Sequence, residues 1–378
     1  MKKPLRVLTI SKPYVAAAYR EKLRIWAQDP SLEIGLIVPD AWGEQEYEAS
    51  DRDDFWIRRL PIRLNGKNHF FSYKKLEATI SEFKPDVINC EEEHYSFVTY
   101  QVFRIANKRK IKTLFYTWQN IFKRYPFPFS YIESKIFKQA VAGAAGNQEA
   151  LDILRAKGFT KDIKLIPQMG VNTSDFYPDT DDKRDGLWLR SKLDLPSEAF
   201  LIVYMGRMVE EKGLMDIVNA SELIPRGSDV YILFIGNGPY QAKIKNAVEA
   251  KDLNDRFRFL PFVSSLEVPK FLRACDVLCL ASLTRKNWKE QFGRVLVEAM
   301  ASGCVPIGSS SGEIPRVIGE AGLVFEEADS IGLRDAILSL YTNRDLFAQL
   351  KAAGIKKANA IYSQKAIADQ FSELFFEI

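Results

Sequence analysis

Histidine is almost missing from this chain: in 378 residues there are only His69 and His94. No Ser/His/Asp or Cys/His constellation is visible, so the sequence offers no hydrolase-type triad. Cysteine is equally sparse, at positions 90, 275, 279 and 304, and no two form a C-x-x-C pair. That excludes a disulfide framework and zinc-ligand spacing. Cys275 and Cys279 lie beside an apolar run and read as core residues. No apolar run is long enough to span a membrane. The opening M-K-K-P-L-R-V-L-T-I enters a strand with no long apolar signal segment. These features point to a protein of the reducing cytoplasm, with peripheral contact at the inner face of a membrane left open. Strong charge of one sign is lacking too. The formal net charge of +4 is too mild for nucleic-acid binding. Two acidic runs, D-R-D-D at 51–54 and D-T-D-D at 179–182, resemble metal-binding pairs, but neither has a glycine cradle. No metal and no cofactor is expected.

What is present is alternation. Apolar content of 47% and charged content of 27% are ordinary for a soluble chain, and the length suits two domains. Short apolar strands are expected at 5–10, 33–38, 86–90, 112–117, 141–145 and 164–167, with helices between them. After a polar stretch the pattern resumes with strands at 200–205, 230–235, 256–260, 276–280, 305–308 and 323–325. Strands alternating with helices indicate parallel sheets covered on both faces. The expected fold class is therefore α/β, with two doubly wound Rossmann-like domains. The boundaries read as 1–178, a linker over 179–198, a second domain over 199–360 and a terminal helix over 361–378. Residues 1–178 carry 28 Lys+Arg against 21 Asp+Glu, and the remainder 25 against 28, so the front half is the basic one. A phosphate-bearing substrate or a membrane surface would suit it.

The stretch Glu290–Ser309, E-Q-F-G-R-V-L-V-E-A-M-A-S-G-C-V-P-I-G-S, organises the second domain. An ideal helix turns about 100° per residue, so Glu290 and Glu298 converge only if Glu290 sits in a loop and the helix starts near Gly293. A helix terminus there would attract phosphate. Gly206-Arg207 and Lys212-Gly213 follow another strand and place two cations where a diphosphate can be neutralised. Gly236-Asn237-Gly238-Pro239 is either a plain tight turn or a close backbone approach to a nucleotide, and it is no G-x-G-x-x-G fingerprint. Phe262-Val263-Ser264 reads as a base contact or a helix cap. In the first domain, Glu91-Glu92-Glu93-His94 and Trp118-Gln119-Asn120 each follow a strand. Their carboxylates and amides can meet a sugar hydroxyl or remain ordinary loop residues. Residues 101–138 hold nine Lys+Arg and one acid, Glu133, with interleaved aromatics. Such a surface fits anionic lipid, a lipid-diphosphate acceptor or a solvated helix face.

Together these motifs resemble the retaining glycosyltransferases of family four. The resemblance covers residues 140–340 and rests on Gly206-Arg207…Lys212-Gly213, on Gly236-Asn237-Gly238-Pro239 and on the E-x(7)-E signature at Glu290 and Glu298. The segment I-P-Q-M-G-V-N-T-S-D-F-Y-P at 166–178 is also similar to the family's first-domain close. It implies the GT-B fold, two domains facing across a cleft, and a last helix packed back on the first domain. It also implies transfer of a hexosyl unit from a nucleoside diphosphate sugar to a glycan or lipid-linked acceptor, with no metal. Carried over, Arg207 and Lys212 hold the diphosphate, Glu290 the donor sugar and Glu298 the ribose. Gly206, Gly236, Asn237, Gly238, Val263, Phe292, Gly293 and Arg294 line the donor. Glu92, Glu93, Gln119 and Asn120 would meet the acceptor. Two departures stand out. Val15-Ala16-Ala17 replaces a glycine pair, and Gln119 stands near a histidine position, which removes proton chemistry there. The alternatives are a nucleotide-sugar epimerase or hydrolase on the same fold and a non-catalytic sugar-nucleotide-binding protein.

Overall fold

A computed structural model describes residues 3–179 and 183–378. The chain divides into two compact units, one of residues 1–170 with 364–378 and the other of residues 171–363.

The first unit is built on a parallel sheet of seven strands: β1 (Leu5–Ile10), β2 (Leu32–Pro39), β3 (Trp56–Leu60), β4 (Val87–Cys90), β5 (Lys112–Thr117), β6 (Ala142–Ala145) and β7 (Asp162–Leu165). They lie in the order β7-β6-β5-β4-β1-β2-β3. In register, Val7 pairs with both Ile34 and Val87. The central strands are buried on both faces, which explains why they read as apolar runs without alternation. Strand β3 was not expected. Its W-I-R-R-L exposes Arg58 and Arg59 at the sheet edge, so it lacks the apolar signal of the others. The terminal helix Gln364–Glu377 belongs to this unit. Ile367, Ala368, Phe371, Leu374 and Phe375 form one apolar stripe joining the core over β1, β2 and β5. Trp26 packs edge-on against Phe371 at 5.9 Å and Phe375 at 5.2 Å, and its Nε1 donates to the Ala368 carbonyl at 2.8 Å. The acidic run at 51–54 is absorbed into the same scaffold. Asp53 pairs with Arg20, which is fully buried, and with Arg24 at 2.8 Å.

The second unit repeats the plan with β8 (Phe200–Met205), β9 (Val230–Ile235), β10 (Phe257–Leu260), β11 (Val277–Leu280), β12 (Val305–Ser309) and β13 (Leu323–Phe325). The order is β10-β9-β8-β11-β12-β13, all parallel. The stretch expected to be a linker, 179–198, holds a helix instead, Arg184–Lys192. Leu189 is fully buried, and Arg190 reaches the Ala199 and Ala274 carbonyls at 2.8 and 2.9 Å and Asp276 at 2.6 Å, so this helix is a fixed part of the unit. Three of the four residues of D-T-D-D lie outside the described residues. Asp179 accepts from the Gly186 amide at 3.1 Å. All four cysteines are free and buried.

In each sheet the strand order reverses between the first strand and its neighbour, β1 beside β4 and β8 beside β11. Doubly wound sheets bind ligands outside the carboxyl ends of their strands at such a switch point. The loops at Lys12 and Glu91–His94 lie at the first, and those at Arg207–Gly213 and Ser282–Glu290 at the second.

Candidate functional site

In the second unit, Lys212 and Glu290 meet at the switch point. Lys212 ends a short 3-10 turn after β8, and Glu290 lies in the loop between β11 and the helix Arg294–Ala301. Lys212 Nζ stands 2.6 Å from Glu290 Oε2, and Ser282 Oγ donates to the same oxygen at 2.9 Å. Both charged side chains are largely enclosed. Trp288 covers the pair: Lys212 Nζ is 4.8 Å from its ring centroid. The Glu290 backbone is fixed from the other side, where its carbonyl accepts from the Glu313 amide at 3.2 Å. The loop after β11 is further tied to that after β12, through Ser309 Oγ to the Ser282 carbonyl and Thr284 Oγ1 to Ser311 Oγ at 3.0 Å.

Arg207 lies on the adjoining loop. Its side chain is exposed and forms no ion pair with any described residue. Its carbonyl is held by Tyr204 Oη at 2.6 Å. Burial raises the Tyr204 pKa, and the nearby Glu290 charge raises it further while Arg207 opposes, which puts all three groups within electrostatic reach. The Arg207 loop rests directly on the next one: Met208 N donates to the Asn237 carbonyl at 2.9 Å, and Tyr240 N to the Met208 carbonyl at 3.0 Å. A Cβ on Gly236 would stand 2.0 Å from the Gly206 carbonyl oxygen, and one on Gly238 2.2 Å from that of Met208. These two glycines serve loop-to-loop packing, which the sequence left open as a close approach to a nucleotide.

The helix Arg294–Ala301 starts where expected. Gly293 caps it at φ +72°, a left-handed conformation that favours glycine, and its hydrogen side faces Leu280 and Leu296. The glycine is thus needed by the backbone and the core rather than by space for a ligand. Phe292 is buried edge-on against Tyr362 at 5.7 Å. Glu298 is 7% exposed and accepts from Arg294 Nε at 2.8 Å. Burial raises its pKa, and Arg294 opposes the shift. Hydrogen bonds thus join Lys212 and Ser282 to Glu290, and Arg294 to Glu298. Val263 is half-buried in the loop after β10.

In the first unit the glutamate run splits three ways. Glu91 is internal, accepting from Tyr14 Oη, Lys22 Nζ and Asn89 Nδ2, each at 2.7 Å. Glu92 is buried and ion-paired with Lys12, whose amide also donates to it at 2.7 Å. Burial raises its pKa against the pull of Lys12. Glu93 accepts from Thr117 Oγ1 at 2.6 Å and from the Trp118 amide at 2.9 Å. Gln119 Oε1 takes a 3.3 Å bond from Tyr95 Oη, and Tyr95 stacks on Tyr125 at 4.1 Å. Asn120 is buried. Glu92, Glu93 and Gln119 thus gather at one sheet edge, with Lys12, Tyr95 and Tyr125 as neighbours that sequence reasoning missed. Ser282, Trp288 and the Glu313 loop were likewise unassigned in the second unit. For Trp288 the available signal was its place two residues before Glu290.

Residues 189–357, under half of the chain, match the family model described as glycosyl transferases group 1. N-acetyl-alpha-D-glucosaminyl L-malate synthase of Bacillus anthracis is 28% identical over 201 residues, covering 52% of this chain and 50% of that protein. The chain spans about half the length of the curated relatives it matches. Among solved structures, a glycosyltransferase from Rickettsia africae ESF-5 superposes with a TM-score of 0.77 at 19% identity, covering 100% of this chain and 99% of that one. Anabaena HepE in complex with UDP gives 0.74 at 16% identity, with 99% and 100% covered. These likenesses make the fold GT-B.

Proposed function

We propose that this chain is a retaining glycosyltransferase that moves a hexosyl unit from a nucleoside diphosphate sugar to an acceptor hydroxyl without a metal. The observation that carries the proposal is the Lys212–Glu290 pair at the switch point of the second sheet, with the unpaired Arg207 beside it. The span matched by the glycosyl transferase group 1 model includes all three residues, and a structure of the same fold holds UDP.

In this reading Arg207 and Lys212 neutralise the donor diphosphate, and Glu290 accepts hydroxyls of the transferred sugar. Glu298, freed from Arg294, takes the ribose hydroxyls. The backbone at Phe292, Gly293 and Arg294 holds the donor, with Gly206, Gly236, Asn237, Gly238 and Val263 lining it. The bond from the anomeric carbon to the diphosphate oxygen breaks as the acceptor oxygen bonds the same face. The departing phosphate takes the acceptor proton, and the charge that grows on it is stabilised by the two cations. The acceptor, a glycan or a lipid-linked glycan, is met by Glu92, Glu93, Gln119 and Asn120. Gln119 orients a hydroxyl and transfers no proton.

The test is a thermal-stability screen with a panel of nucleoside diphosphate sugars, since a ligand bound only by the folded state raises apparent stability. The best donor is then incubated with candidate acceptors in EDTA, and the anomeric configuration of the product is read by NMR. Stabilisation followed by a product with the donor's own configuration supports the proposal. Donor turnover that needs no acceptor would make the chain a hydrolase or epimerase, and binding without turnover a non-catalytic module.

A further inference from the structure

The first unit carries a second surface that the transfer reaction does not use. The segment 121–128 leaves the carboxyl end of β5 and feeds the helix Phe129–Gln139. Phe127 is 82% exposed, Phe122 51%, Phe70 48% and Tyr131 46%. Phe70, Phe97 and Phe129 form one aromatic cluster, Tyr100 and Tyr131 form a pair on the same two helices, and Phe122 and Phe127 are exposed on the loop that feeds the second of them. Phe70 stacks on Phe97 at 6.0 Å and meets Phe129 edge-on at 5.2 Å, and Tyr100 contacts Tyr131 at 6.3 Å. An aromatic surface of this kind in water calls for a partner.

The exposed charge beside it is mainly positive, although Glu93 acts on the neighbouring His69 and Glu77 pairs with Arg109. Tyr100, Arg104 and Lys108 recur every four residues along one face of the helix Phe97–Arg109. Lys67, Lys123 and Arg124 are exposed on the flanking loops. Lys123 acts electrostatically on His69, next to Phe70. None of Lys67, Arg104, Lys108, Lys123 and Arg124 forms an ion pair with a described residue. The one acid of the 101–138 segment, Glu133, is turned away from solvent onto His94 at 2.9 Å and Lys157 at 2.6 Å. This face therefore presents exposed aromatic rings together with cations that form no ion pair, on the same loops and helices, while no described helix is long and apolar enough to cross a membrane.

We infer that this face docks on an anionic lipid bilayer, the aromatic rings entering the interface and the cations meeting acidic headgroups. The match is one of charge and of amphipathic rings suited to the headgroup level. Gln119 and Asn120 begin the same loop, so the acceptor groups would sit close to the membrane surface.

The test is co-sedimentation of the full chain with vesicles of phosphatidylcholine alone and of phosphatidylcholine mixed with phosphatidylglycerol, without donor. Binding is expected only to the mixed vesicles and should weaken as salt is raised. One surface cation contributes about fivefold in affinity, so the Lys123→Ala/Arg124→Ala double variant should bind roughly twenty-five-fold more weakly. Phe127→Ser, at a highly exposed position, should lose binding with an unchanged melting profile. Arg226→Ala, an exposed position of the second unit, serves as control and should bind normally. Equal binding to both vesicle types, no binding by the folded wild type, or undiminished binding by the double variant would overturn the inference. So would capture by soluble acidic polysaccharide in preference to vesicles. The donor screen reads the second unit, so either result can fail without the other.

Discussion

Lys212 Nζ and Glu290 Oε2 lie 2.6 Å apart although 78 residues separate them in the chain. Strand order makes the contact, since β8 and β11 are neighbours across the point where the sheet reverses. A part-buried ion pair at a ligand-binding edge is poised to exchange partners. In the reaction proposed above, the ammonium would turn to the donor phosphate and the carboxylate to a sugar hydroxyl. Lys212→Ala and Glu290→Gln are each expected to lower kcat about 10²–10³-fold, the usual cost of removing one group that stabilises transition-state charge. Far-UV circular dichroism should stay unchanged. Near-wild-type turnover in either folded variant would remove the pair from the mechanism.

Trp288 covers that pair, and a cation against a partly desolvated indole contributes about 0.5–2 kcal/mol. Trp288→Ala is expected to reduce kcat about tenfold, within that range, and Trp288→Phe to restore most of it. Tryptophan emission offers a second reading. Nucleoside diphosphate addition should shift it in the wild type, and the shift should be absent in Trp288→Phe. An emission change that survives in the variant would place the ligand elsewhere.

Much of the scaffold was legible because doubly buried strands announce themselves as short apolar runs, as at Phe200–Met205. What escaped was carried by residues whose chemistry disagrees with their place. Strand β3 has two arginines on an exposed edge. The helix Arg184–Lys192 reads as polar linker, because its anchor is an arginine that reaches backbone carbonyls. At the site, Lys212 and Glu290 were legible as charged residues flanked by glycines, but their contact was not. Gly236, Gly238 and Gly293 also answer to neighbouring backbone and core atoms, a demand that a linear pattern cannot display. In the first unit, three consecutive glutamates face three different partners, a division decided by the turn after β4.

Glu298 links the site to pH. Burial raises its pKa in the folded state, so between the free-carboxyl value and that raised value the native chain holds a proton that the unfolded chain releases. The associated stability is complete below the unfolded pKa and is lost as pH rises through the folded one. Glu298→Gln does not titrate. Its melting temperature should exceed the wild type's at neutral pH, with the gap closing toward acid, while nucleotide binding weakens. A gap that stays constant with pH would mean that Glu298 is ionised without penalty.

Lys22 and Glu91 provide the counterpart in the first unit, where the charges are wholly enclosed. Lys22 Nζ is 2.7 Å from Glu91 Oε1, donates to the Gln168 carbonyl at 2.9 Å and lies 4.2 Å from the Phe371 ring centroid. It therefore joins β4, the segment after β7 and the terminal helix. Burial lowers its pKa and Glu91 opposes that shift. Lys22→Met keeps the volume but strands Glu91 as a buried charge, a situation that costs about 3–5 kcal/mol. The double variant Lys22→Met/Glu91→Gln removes both charges and keeps an acceptor for Tyr14 and Asn89, so it should recover most of that loss. Urea unfolding followed by the fluorescence of Trp26, which packs on the same helix, separates the cases. A single variant that loses less than about 1 kcal/mol, the range of exposed pairs, would show that water reaches Glu91 and that the terminal helix does not depend on the buried ion pair.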